Sequence, residues 1–85
     1  MHYVYVLKND RSDIYIGQTE DISRRVYEHN AGKSISTRGF RWELIYYEAY
    51  RCKEDATARE RKLKQHGQAK RHLKDRIQAS LAPDQ

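Results

Sequence analysis

The sequence predicts one α+β domain, a three-stranded, mainly antiparallel sheet flanked by helices in the order β-β-α-β-α-α. Three observations carry that prediction. Two short alternating runs, HYVYVL and IYIG, enclose a dense turn cluster, which is the pattern of a β-hairpin. A third run, WELIYYEAY, is rich in the aromatic and branched residues that suit a pleated surface. The segments after the second and third runs space their apolar residues four apart, as helices do. At 85 residues there is room for one modest core and not for a second. Residues 1–81 are expected to form the domain and residues 82–85, which include Pro83, a frayed tail.

Each element can be justified in turn. In His2–Leu7, Val4 and Val6 fall on one face, and Tyr3, Tyr5 and Leu7 on the other. Asn9-Asp10-Arg11-Ser12-Asp13 supplies the turn, and Ile14–Gly17 the return strand. Pairing in register would unite Val4, Val6, Ile14 and Ile16 on an apolar face and place Tyr5 beside Tyr15 on the opposite one. Thr19 or Asp21 can cap a helix over Ile22–Asn30, with Ala31-Gly32 as its stop. Residues 31–41, with two Gly, two Ser and a Thr, read as a loop, and Trp42–Tyr50 as the third strand. Lys53–Gln65 reads as a helix, broken by His66-Gly67. Gln68–Leu81 follows as another, with Ala69, Leu73, Ile77 and Leu81 in one stripe.

Composition narrows the class further. Leu, Ile, Val and Phe supply only 15 of the 85 residues; seven Tyr and one Trp raise the large apolar count to 23, so a core built partly from tyrosine is expected. No stretch approaches the ~20 apolar residues of a membrane span, and no apolar segment opens the chain. A single cysteine, Cys52, excludes an internal disulfide and a cysteine-only zinc site. A soluble, cytoplasmic protein is expected. The formal charge of +5 lies wholly in residues 51–85, since the first fifty residues hold seven bases against seven acids. A basic block of this kind suits a polyanion such as nucleic acid, the alternative being a solvated lysine-rich helix surface. Membrane-surface binding fits less well, because the basic helices lack a Trp/Phe/Leu-rich face.

Several polar residues stand where apolar or freely solvated ones would be cheaper. Arg25 and His29 are four apart, so they project from one helix face just after the Tyr15-Gly17 strand. Glu60 follows Ala56 by four and precedes Leu63 by three, which sets a carboxylate on an apolar stripe. Each has an ordinary reading: amphipathic packing for Tyr5 and Tyr15, an exposed cation for Arg25, a helix-end base for His29, and a Glu60–Lys64 surface pair. The order and spacing of all five, however, resemble the GIY-YIG nuclease superfamily. Tyr3-Val4-Tyr5, Tyr15-Ile16-Gly17, Arg25, His29 and Glu60 carry the resemblance over residues 2–65, with the run Glu28–Lys33 and Thr37-Arg38. It is strongest to the small stand-alone branch related to the N-terminal nuclease domain of excinuclease C and to branched-DNA endonucleases. Tyr3 stands where the family has glycine. No Asn follows Glu60 as it does in many members, leaving Gln65, Gln68 and Gln78 as nearby amides.

The resemblance implies a metal-dependent endonuclease acting on DNA, in repair or recombination, with a divalent metal, Mg²⁺ by its chemistry, anchored by Glu60. It implies that Arg25 grips the scissile phosphate, that Tyr15 orients water or phosphate, and that Tyr5 acts as general base. A free phenol titrates near ~10, so either cationic charge favours phenolate or His29 takes its proton. Lys33, Arg38, Lys70, Arg71 and Lys74 would hold the DNA backbone, with specificity from DNA shape, a homodimer or a protein partner. Two other readings use the same fold: a non-catalytic nucleic-acid-binding module, and a small domain whose basic helix meets an acidic protein.

Overall fold

A computed structural model describes residues 1–82. The strands are β1 (His2–Asn9), β2 (Ile14–Thr19) and β3 (Trp42–Tyr50), and the helices are α1 (Ile22–Asn30), α2 (Lys53–Gln65), α3 (Gly67–Arg76) and α4 (Gln78–Leu81). A 3-10 turn, Ile35–Thr37, interrupts the loop before β3. The sheet order is β2-β1-β3, with both neighbours antiparallel to β1. The β-β-α-β-α-α order and the antiparallel sheet are therefore as the sequence predicts. The expected tail lies, from Pro83 onward, outside the described residues. Among those described, no helix is long and apolar enough to cross a membrane.

The hairpin is organised by one side chain. Asn9 is buried, and its Oδ1 accepts from the backbone N–H groups of Arg11 (2.9 Å) and Asp13 (2.8 Å). That bonding lets β1 run two residues beyond Leu7, and Ser12 takes the left-handed backbone (φ 66°) that closes the loop. The register pairs Tyr5 with Gly17, Val6 with Ile16 and Leu7 with Tyr15. Asp21 is the cap that α1 uses, its Oδ1 accepting from Arg24 N–H at 3.1 Å. At the other end Gly32 (φ 76°) bonds to His29 O and Lys33 N–H to Glu28 O, a Schellman closure at the predicted stop.

Alternation along β1 splits the core into two layers. Val4, Val6 and Ile16 face α2–α4 and pack with Ala56, Leu63, Leu73 and Ile77. Tyr5 and Leu7 face α1 with Trp42, and Tyr15, Val26, Phe40 and Leu44 pack against them. A register shift between β1 and β3 at Val6/Leu7 leaves Ile45 unpaired, so Leu44 joins the α1 layer while Ile45 and Tyr46 join the other. The expected single helix over residues 68–81 is broken at Ile77, whose backbone (φ −113°, ψ 30°) leaves helical geometry. The break redirects the chain so that Leu81 reaches the core, and Lys8 Nζ donates to Leu81 O (3.4 Å) and Ala82 O (3.2 Å).

Two polar contacts fix how α2 lies on the sheet. Thr57 Oγ1 donates to Gln18 Oε1 of β2 at 3.1 Å. On the β3 side Arg59 grips Glu48 with two bonds, 2.9 Å and 3.0 Å, and Tyr46 and Tyr50 also donate to the same carboxylate. Burial alone would raise the Glu48 carboxyl, but donation from Arg59, Tyr50 and Tyr46 outweighs it and pulls the group down to about 2. The folded state thus binds this proton less readily than the unfolded chain. Its stabilisation is complete above the usual carboxylate value and is lost as pH falls from about 4.5 towards 2. Glu48→Gln should lower the melting temperature at pH 7 and flatten its acid dependence in that window. A parental acid limb in thermal melts of Glu48→Gln would remove Glu48 as its source.

Candidate active site

Tyr5, the middle residue of the central strand, points into the α1 layer and is 1% exposed. Its phenol lies directly over the backbone of Gly17, where an added Cβ would run into the Tyr5 hydroxyl. Glycine is required here by close approach, since Gly17 pairs opposite Tyr5 and leaves no room for a side chain. Two residues of α1 then meet the phenol, because Arg25 and His29 are one helical turn apart on the face turned to the sheet. His29 Nε2 is 2.9 Å from Tyr5 Oη, and Arg25 Nε donates to the same oxygen at 3.3 Å.

The direction of the hydrogen bonds behind Tyr5 can be worked out from the far end. Thr37 Oγ1 lies 3.4 Å from the Ser34 carbonyl oxygen, which can only accept. With the Thr37 hydroxyl donating there, its oxygen accepts from His29 Nδ1–H at 2.7 Å. In that tautomer the proton is on Nδ1 and Nε2 accepts from Tyr5 O–H. The chain Arg25, Tyr5, His29, Thr37, Ser34 runs donor to acceptor throughout, and no buried side-chain polar atom among the described residues lacks a partner. Burial, reinforced by the Arg25 charge, lowers the His29 imidazole below its ordinary value, so it is neutral near pH 7. Burial also pushes the Tyr5 phenol up to about 12, overriding the hydrogen bond and charge of Arg25 that favour ionisation. Of the two routes that the sequence leaves open, resting phenolate is therefore disfavoured and proton transfer to His29 is geometrically prepared.

The groove in front of this chain has a volume of about 520 Å³ and is walled by Tyr5, Tyr15, Arg25, Glu60, Gln18 and Lys53, with Gly17 and Thr19-Glu20 completing it. Glu60 arrives from the opposite layer, past the β2 edge, because α2 packs beneath that strand. It is paired with Lys64 at 2.8 Å, and Lys64 Nζ lies 5.7 Å from the centre of the Tyr15 ring. Tyr15 contacts the His29 ring edge-on with centroids 4.7 Å apart. Arg25 is also held by Glu28, 3.1 Å from Nη1, which fixes the guanidinium beside the phenol.

All five expected catalytic positions thus converge, four on the groove wall and His29 behind Tyr5. The expected DNA contacts do not converge with them. Arg38 donates to Gly32 O (3.2 Å) and Lys33 sits over the Tyr27 ring, both in the loop after α1, while Lys70, Arg71 and Lys74 line no part of the groove. Gln65, Gln68 and Gln78 do not line it either; the groove's amide is Gln18. The groove residues Gln18 and Lys53 carry no signal in the sequence, and Thr37, whose hydroxyl bonds His29, enters there only through the Thr37-Arg38 pair of the family resemblance. No periodicity marks Thr37, because it acts from an irregular loop. Gly17→Ala should displace the Tyr5 ring and cost ~1–3 kcal/mol by overpacking. Chemical denaturation giving parental stability would show that the phenol can move aside freely.

Comparison with known proteins agrees with this geometry. The family model described as the GIY-YIG catalytic domain matches residues 1–74. A UPF0213 protein of Haloquadratum walsbyi is 36% identical over 72 residues, covering 82% of this chain and 81% of that one. A UPF0213 protein of Halobacterium salinarum is 40% identical over 73 residues, covering 84% and 95%. The solution NMR structure of a UPF0213 protein from Bacillus halodurans superposes with a TM-score of 0.53 at 32% identity, covering 89% of this chain and 85% of that one. With the sheet order, the hairpin motif and these matches in agreement, the chain belongs to the GIY-YIG family, a nuclease superfamily, and groups there with the small UPF0213 proteins.

Proposed function

We propose that this protein is an endonuclease that hydrolyses DNA phosphodiester bonds. The observation that carries the reading is the Tyr5 hydroxyl at the groove wall, held between the Arg25 guanidinium and the basic nitrogen of a neutral, buried His29. In this mechanism Tyr5 Oη removes a proton from the attacking water as its own proton passes to His29 Nε2. Arg25 stabilises negative charge on the phenol oxygen and presents its remaining donors to the phosphate. Tyr15 borders the same space and orients water or a phosphate oxygen.

Among the described residues no three His, Cys, Asp or Glu side chains converge, and the groove wall carries two carboxylates, Glu60, whose charge reaches Tyr5, and the exposed Glu20, which lies 3.5 Å from His2. One or two carboxylates fit a hard cation that keeps its waters and takes phosphate oxygens from the substrate, as Mg²⁺ does. Glu60 would hold it, and when bound it would supply positive charge to the phosphoryl oxygens. Lys64, now paired with Glu60, would have to yield that carboxylate.

Incubating supercoiled, single-stranded and branched DNA with the protein, in Mg²⁺ and in chelator, separates this reading from a non-catalytic binding module. Glu60→Gln should keep the fold and lose Mg²⁺-dependent nicking by at least ~100-fold; nicking at the parental rate would exclude Glu60 as the metal ligand. The pH profile tests the relay. His29 is depressed below about 6.5, so the parental rate should hold through neutral pH and fall only as acid protonates the imidazole. In His29→Ala, Tyr5 must lose its proton to solvent, and the rate should climb steadily from pH 7 to the alkaline limit of stability. An unchanged profile would exclude His29 as the proton acceptor.

A further inference from the structure

We propose that Lys53 and Arg61 of α2 form a second phosphate-binding surface that continues the catalytic groove and holds the DNA backbone beside the scissile bond. The proposal rests on the endonuclease reading for its ligand and on separate observations for its place. Lys53 walls the groove and also a shallower cleft of about 390 Å³, whose other lining residues are Glu54, Thr57, Ala58 and Arg61. The two clefts are joined at a fixed border, since Thr57 of the second donates to Gln18 of the first at 3.1 Å.

Spacing and pairing then single out two of the five basic residues on α2. Lys53, Thr57 and Arg61 follow one another at four-residue intervals, so they form one stripe along the helix. Arg59 is occupied by Glu48 and Lys64 by Glu60. Lys53 and Arg61 are exposed, and among the described residues neither is within ion-pair distance of a carboxylate. Lys62 is exposed as well but lines neither cleft. Eight residues of helix separate the two cations by about 12 Å along the axis, the axial span of three to four phosphates of one strand. Ala58 is small and leaves the stripe open, and Glu54 is the one acid in the lining. The basic residues of α3, by contrast, border neither cleft although they dominate the C-terminal charge.

The test is the salt dependence of binding to a short labelled duplex, measured by fluorescence anisotropy in chelator so that cleavage cannot intervene. Lys53→Ala/Arg61→Ala should reduce the slope of log affinity against log salt by about 1.8, at ~0.9 per phosphate contact. Lys70→Ala/Arg71→Ala/Lys74→Ala should lose less of the slope despite removing three charges. Alanine suits helix positions, and these residues are exposed apart from the half-buried Lys70, so both variants should keep the parental circular dichroism. If the double variant does not fold, Lys53→Gln and Arg61→Gln singly should each lose about 0.9 of slope. A parental slope in the α2 variants, or a larger loss in the α3 variant, overturns the proposal. A parent that binds with an α2-dependent slope yet never nicks supercoiled DNA in Mg²⁺ would overturn the nuclease reading and leave this surface standing.

Discussion

A phenol buried at the centre of a small sheet is costly unless its hydroxyl is bonded, and Tyr5 meets that requirement through His29 and Arg25. Much of the structure follows from this one need. The hairpin register must put Gly17, and no larger residue, opposite Tyr5. The first helix must start at Asp21 so that positions 25 and 29 both face the strand. The loop after it must bring Thr37 back under His29, and it is anchored there by Trp42 Nε1, which donates to Thr37 O at 2.8 Å. Trp42 is held in turn by Asn30, whose amide bonds its backbone N–H and C=O at 2.6 Å and 3.0 Å. Structural and chemical demands coincide in these residues. A hydrogen-bonded chain that satisfies its own buried side-chain polar atoms also leaves a basic nitrogen against a phenol at the groove.

The groove needs a second constraint, because Glu60 belongs to the layer on the far side of the sheet. Its reach depends on how α2 is rotated. Arg59 and Glu60 are consecutive and so diverge by about 100° around the helix axis. With Arg59 clamped to Glu48 over β3, Glu60 is turned towards β2, where the Thr57–Gln18 bond fixes the other side. A part-buried carboxylate receiving four donors is a strong determinant of that rotation. The clamp lies across the sheet from the chemistry, yet it sets the one acidic side chain that the proposed reaction uses.

Much of this was legible in the sequence because it rests on local patterns. Alternation in Val4–Leu7 and Ile14–Gly17 fixed the two faces. Two candidate caps, Thr19 and Asp21, and the Ala31-Gly32 stop bounded α1, and four-residue spacing paired Arg25 with His29. The irregular parts were not legible. Ile77 carries the right spacing for an uninterrupted helix, and the break there serves tertiary contacts of Leu81 that no local rule announces. Apart from the family resemblance, Thr37 is one hydroxyl among several in a loop, and its bond to His29 is not announced by any local rule. Tyr46, Glu48 and Tyr50 read only as part of a strong strand, and their convergence on Arg59 depends on where α2 crosses. A core built partly from tyrosine was legible, but not which tyrosines: Tyr5 is buried, whereas Tyr27 and Tyr47 are 65% and 54% exposed.

Charge shows most plainly what a linear tally misses. All of the formal excess lies after residue 50, which directs attention to the most basic stretch, yet excess charge and functional charge are different quantities. A cation already paired, as Arg59 and Lys64 are, contributes to the count and little to an incoming phosphate. A cation far from the groove raises the general attraction for a polyanion without fixing where the strand lies. Register comes from unpaired donors at the groove margin. The α2 helix satisfies both demands at once, one face locked to the sheet through Arg59 and the other lined with unpaired bases beside the groove. On the proposed endonuclease reading, the same helix that delivers the carboxylate is the element best placed to set the distance between a bound backbone and Tyr5.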